Sequence, residues 1–159
     1  MSGWQVALTL IALVAAAISG GAFFAFSNFV MPAFGRLPES EGAAAMQAVN
    51  VAAPSPTFVA AIVGAGLVAV PAAVAEVDRI DEAGGRLLAL GAVLSIASFV
   101  VTVTLNVPRN DALDRVDARS EAGRGYWRRY LVTWTRANTA RTVASLGSVA
   151  AYGAALATL

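Results

Sequence analysis

The chain has 159 residues, 58% of them hydrophobic and 13% charged. A soluble domain carries about 25% charged residues, so this apolar excess, gathered into four long blocks, reads as a membrane pattern. There is no cysteine and no histidine. This excludes disulfides, thiolate chemistry and a Ser-His-Asp triad, and argues against zinc, copper and iron–sulfur sites and histidine-ligated haem. The net charge of +1 gives no signature for nucleic acid.

The first block, about Trp4 to Val30, holds no charge. At 1.5 Å per residue, about 20 residues suffice to cross a bilayer. It lacks the cationic start of a secretory signal, so it is expected to stay as a helix, closed by Pro32. Residues 38–53 predict a short helix, with Pro38, Glu39 and Glu41 at its start. Met46 and Val49 form its apolar side, and Gln47 and Asn50 stand one turn apart on another. The second block, Thr57 to about Ala75, follows Pro54 and Pro56 and is expected to kink at Pro71. Residues 77–86 (VDRIDEAGGR) read as a polar turn. The third block is Leu87 to Leu105, and 107–136 is a charged loop. The fourth block, about Ala137 to Leu159, has Arg141 in its first turns.

These blocks predict one all-α domain over 1–159, a membrane-spanning antiparallel four-helix bundle with a short extra helix between the first two spans. Small residues such as Gly20, Gly64, Gly66, Gly91, Ser145 and Ser148 permit close helix approach in lipid and leave room for a homo-oligomer. With four crossings, Arg36, Arg109, Arg115, Arg119, Arg124, Arg128, Arg129, Arg136 and Arg141 share one side, against Arg79 and Arg86 on the other. The positive-inside rule then places the arginine-rich loops in the cytoplasm and both termini outside the plasma membrane.

Folded this way, four segments deliver polar groups to one end: Asn28; Gln47 and Asn50; Asn106, Asn110 and Asp111; Trp134, Asn138 and Arg141. Trp134, Asn138 and Arg141 fall at i, i+4 and i+7, one helical stripe that Ser145 extends, and Gly20, Phe24 and Asn28 form another. An arginine inside a span either turns inward to a partner or anionic ligand, or snorkels to the headgroups. Asn106 suits a helix cap as well as a ligand contact, and Asp111 suits an ion pair with Arg109 or Arg115. Trp4 and Trp127 read as interfacial anchors, and Trp134 as an anchor or a site aromatic. The cluster Arg115, Arg119, Arg124, Arg128 and Arg129 reads as a solvated face toward lipid headgroups. Carboxylates and amides leave a hard cation open.

The run Phe26 to Arg36 (FSNFVMPAFGR) with Leu37-Pro38, then Ala45 to Asn50 (AMQAVN), Asn106 to Asp111 (NVPRND), and Trp134-Thr135-Arg136 with Asn138 and Arg141, resembles the anthrone oxygenase-like family. These are small four-helix membrane proteins, most of them a domain of unknown function. The resemblance implies oxidation of an anthrone-type substrate by molecular oxygen with no organic cofactor. It points to Asn28, Gln47, Asn50, Asn106, Asn110, Asp111, Trp134, Asn138 and Arg141. Many relatives carry histidine where this chain has Thr139. On this reading Asp111 is the base, and Arg141, Asn138 and Asn28 stabilise an enolate. Phe23, Phe24, Phe26 and Trp134 stack on the rings. The partners implied are membrane lipid and a hydrophobic small molecule, with no nucleic acid and no metal. A second reading is a non-catalytic binding or scaffold protein locked by a polar network. A channel or transporter fits less well, since four helices leave little room for a pore and no internal repeat is visible.

Overall fold

The computed structural model describes residues 2–74 and 79–158. The expected end of the second block at Ala75, residues 77–78 of the polar turn, and Leu159 lie outside these. The described residues are helical, with turns and no strand: α1 Gly3–Ala25, π1 Phe26–Val30, α2 Met31–Phe34, α3 Glu39–Ala52, α4 Pro56–Val74, α5 Ala83–Val101, π2 Thr102–Asn106, α6 Val107–Asp114 and α7 Glu121–Leu156. Gly3–Phe34 and Ala83–Asp114 are each long and apolar enough to cross a membrane, with a third such span if the pair α3–α4, bent by 76°, counts as one.

Three expectations are corrected by this fold. Pro32 does not close the first helix; the chain continues helically to Phe34. Proline has no N–H and crowds the carbonyl four residues earlier. The helix accommodates this by widening to one π turn, in which the Met31 N–H donates to the Phe26 carbonyl. The third helix does the same before Pro108, where the Val107 N–H donates to the Thr102 carbonyl. Both π turns begin six residues before a proline. Residues 107–136 are not a loop either. Most of them are helical, because Ser120 caps α7, its hydroxyl accepting from the Gly123 N–H at 2.9 Å, with Glu121 in the first turn. α3 begins after Pro38 as expected, and α4 starts at Pro56 and runs through Pro71.

α1, α4, α5 and α7 pack as a cycle of neighbours: α1 on α4, α4 on α5, α5 on α7 and α7 on α1. α7 runs antiparallel to α5, since Ser95 meets Ser148, Ser98 meets Ser145, and Thr102 meets Arg141. The core changes character along these helices. Between the apolar stretches it is made of small residues such as Ala12, Ala16, Ala69, Ala92 and Ser148. In lipid there is no hydrophobic drive between helices, so close packing and interhelical hydrogen bonds carry the contact. At the arginine-rich end the core is large: Met31, Met46, Leu113, Trp127, Tyr130 and Trp134. Trp127 is therefore a core residue rather than an interfacial anchor. Its ring stacks on Tyr130 at 5.6 Å, and Tyr130 stacks on Trp134 at 5.9 Å.

α3 reaches this aromatic core only because Gly42 has no side chain. A Cβ there would stand 2.7 Å from the Phe34 carbonyl oxygen and 2.9 Å from the Trp127 ring, whereas one on Gly64 would meet nothing within 4 Å. G42A is expected to destabilise the protein by about 1–3 kcal/mol through overpacking. G64A is expected to leave it at least as stable as wild type, both read by thermal unfolding in detergent.

Candidate active site

Where the small-residue core meets the aromatic one, a cavity of about 260 Å³ opens between α1, the α3–α4 elbow, π2–α6 and α7. Its floor is the buried part of its lining. Asn138 is wholly buried and Arg141 is 6% exposed, with Asn106, Phe23 and Trp134 also buried. Asn138 links the floor residues to one another. Its amide nitrogen donates at 2.7 Å to the Phe23 carbonyl and at 2.7 Å to the Ser27 hydroxyl, and its oxygen accepts from Arg141 Nη2 at 2.5 Å. It thus ties α7 to α1 where α1 passes into π1.

The Arg141 guanidinium also donates to the Thr102 hydroxyl at 3.3 Å, at the first residue of π2. It lies over the Phe23 ring at 3.9 Å and near Trp134 at 5.4 Å. Such cation–π contacts are worth about 2 kcal/mol when desolvated. Among the described residues no carboxylate forms an ion pair with Arg141. Its Nε has no hydrogen-bond partner, and neither do Asn50 Oδ1 and Asn106 Oδ1. Buried polar atoms without a partner are rare because desolvation costs about 1–3 kcal/mol each. The floor therefore presents a fixed cation and two acceptors. Of the two readings of Arg141, the structure adopts the inward one.

The structure gathers Asn50, Asn106, Asn110, Asp111, Trp134, Asn138 and Arg141 around this one cavity. Asn110 does not offer its oxygen to a ligand. That oxygen accepts from Tyr130 Oη and Trp134 Nε1, both at 2.7 Å, and so fixes the two rings. Three expected residues lie elsewhere. Asn28 is exposed and its amide folds back onto the Phe24 carbonyl at 2.9 Å. Phe24 is exposed on the same face. Gln47 donates to the Leu113 and Val116 carbonyls at 2.9 Å, holding the end of α6 to α3. Asp111 makes no pair with Arg109 or Arg115; among the described residues its carboxylate has no partner.

Asp114, Thr102 and Phe58 line the cavity and were not legible as site residues. Asp114 accepts from the Asn50 amide at 2.9 Å. Asn106, Asn110, Asp111 and Asp114 share one helical face, a stripe hidden as long as 107–114 is read as loop.

Residues 43–151 match the anthrone oxygenase family. The chain belongs to that family. No curated protein and no solved structure matches it. Within this anthrone oxygenase-family protein, the matched segment supplies all of the cavity lining except Phe23 and Phe26 of the first helix. Thr139 stands outside the cavity, exposed, with its hydroxyl 3.0 Å from that of Ser27. Through Ser27, which also accepts from Asn138, this position is one hydrogen bond away from the cavity floor. Among the described residues, no three His, Cys, Asp or Glu side chains gather as a metal site.

Behind the floor, burial pushes the Tyr130 phenol well above the usual tyrosine range, and the Asp114 carboxylate adds to this. The folded protein keeps a proton that the unfolded chain releases at a pH of about 10, so stability falls as pH rises through that value. Thermal unfolding of wild type is expected to lose stability above pH of about 10 more steeply than that of Y130F. The variant starts about 1 kcal/mol lower at neutral pH for its lost hydrogen bond to Asn110.

Proposed function

We propose that this protein oxidises a lipophilic phenolic or anthrone-type substrate with molecular oxygen, without an organic cofactor, in the cavity floored by Arg141. The observation that carries this reading is the buried guanidinium itself, stacked on two rings and without a carboxylate. A guanidinium cation so placed favours a substrate that becomes an anion during reaction. We read α1, α4, α5 and α7 as four crossings with the arginine-rich end in the cytoplasm, which puts the cavity near the bilayer boundary.

The chemistry needs little from the protein. In an anthrone, the acidic C–H lies across the central ring from the carbonyl. With the carbonyl oxygen held by Arg141 on the floor, that carbon points toward the mouth, where Asp111 stands free of partners. Asp111 takes the proton, and the enolate oxygen gathers negative charge beside Arg141. The carbanion transfers an electron to oxygen, and the radical pair combines into a C–O bond. The resulting peroxide anion is protonated by Asp111. Loss of the second hydrogen on the same carbon, with cleavage of the O–O bond, forms the new carbonyl and releases water. Anthrone and oxygen thus become anthraquinone and water, with oxygen taking four electrons from one carbon. Phe26, Phe58 and Trp134 provide a dry aromatic wall.

Oxygen uptake and anthraquinone formation, with anthrone added to the purified protein in detergent, test this. R141Q is expected to lower kcat/KM about 10²-fold or more, since one preorganised donor to a developing anion is worth about 10²–10³ in rate. D111N is expected to lower kcat by about 10²–10⁴. Wild-type rates in both variants, or no oxygen uptake by wild type, would refute the proposal.

A further inference from the structure

The mouth of the cavity is built unlike its floor. The lining residues that are exposed make the rim, and they fall into two groups. One is apolar: Pro54 and Val59 from the elbow and start of α4, and Val107 from the start of α6, with Val59 43% and Val107 42% exposed. The other is acidic: Asp111 and Asp114. Val107, Asp111 and Asp114 stand at i, i+4 and i+7, so the rim grades from apolar to acidic along a single helical stripe. Asp114 also borders a shallower groove of about 500 Å³ with Glu41, Asp117 and Arg119, on the polar side of the molecule.

We infer that the apolar part of this rim, between Val59 and Val107, is a lateral entrance through which a flat, bilayer-dissolved aromatic molecule reaches Arg141. The identity of that molecule rests on the oxygenase reading; the entrance does not. Two physical arguments select the side. A molecule approaching from the acidic side would carry its electron-rich oxygen past two carboxylates, which repel it before Arg141 attracts it. A molecule approaching from the hydrocarbon stays in an apolar medium until it meets the floor, so it exchanges no apolar surface with water on the way. Inside Val59 the next side chain is Phe58, whose ring sits edge-on to Phe23 at 6.5 Å. An entering ring therefore slides from an aliphatic rim onto aromatic faces and ends against the guanidinium. Val59 and Val107 thereby decide how wide a molecule is admitted.

The test places bulk at the rim in protein reconstituted into phosphatidylcholine vesicles, with anthrone as the probe. V59F and V107F are expected to lower kcat/KM about fivefold or more with kcat within about twofold, because admission rather than chemistry is slowed. V59L and V107L, smaller steps in volume, should lose less. L67F carries the same ring on the outer face of α4, where Leu67 is 69% exposed and remote from the lining, and should match wild type. Unchanged kcat/KM in the rim variants, or an equal loss in L67F, would overturn the entrance. Should wild type consume no oxygen, the oxygenase reading falls. The same variants are then scored by how fast anthraquinone quenches the intrinsic tryptophan fluorescence. Slower quenching in the rim variants supports the entrance. Equal rates, or no quenching in wild type, overturn it.

Discussion

Burying a guanidinium costs several kcal/mol unless its N–H groups and charge are compensated. Arg141 meets that cost with one amide oxygen, one hydroxyl and two ring faces. Each partner is held in place by a different element. Asn138 is fixed by α1 through the Phe23 carbonyl and Ser27. Thr102 opens π2, and its hydroxyl in turn donates to the Ser98 carbonyl at 2.9 Å. Trp134 is fixed by Asn110 of α6. The arginine can therefore be cationic and buried only when three of the four long helices and α6 are all in register around it.

The two prolines matter for the same reason. Pro32 and Pro108 remove backbone donors just beyond the cavity, and each helix widens by one π turn instead of ending. The widened turns keep Gly3–Phe34 and Ala83–Asp114 continuous past each proline. Thr102 and Asn106, the first and last residues of π2, are buried, whereas Asn28 within π1 is exposed. π turns recur at functional sites because they re-aim side chains without breaking the helix. Beyond them the packing switches from small residues to stacked aromatics, large apolar side chains whose removal from water stabilises by about 1.5–3 kcal/mol each. The cavity lies at this seam, reached by apolar side chains from one side and carboxylates from the other.

Much of this was written in the order of residue types along the chain. Apolar block lengths and their lack of charge determined the all-helical architecture and the two long apolar helices, because a bilayer requires about 20 apolar residues in a helix with its backbone satisfied internally. The stripe Trp134, Asn138, Arg141 was legible from helical periodicity, and so was the gathering of amides at one end. What only the tertiary structure decided were the facings. Helical spacing fixes which side chains share a stripe but not which stripe meets a neighbour, and a single π turn shifts every later side chain by about 100°. Asn28 and Phe24, on a well-formed stripe, face outward, Phe24 already in α1 before π1 begins, while Gln47 goes to the backbone of α6 and Asp114 to the rim. Arg141 was free to snorkel or to point inward, and packing against Phe23 and Asn138 chose between them.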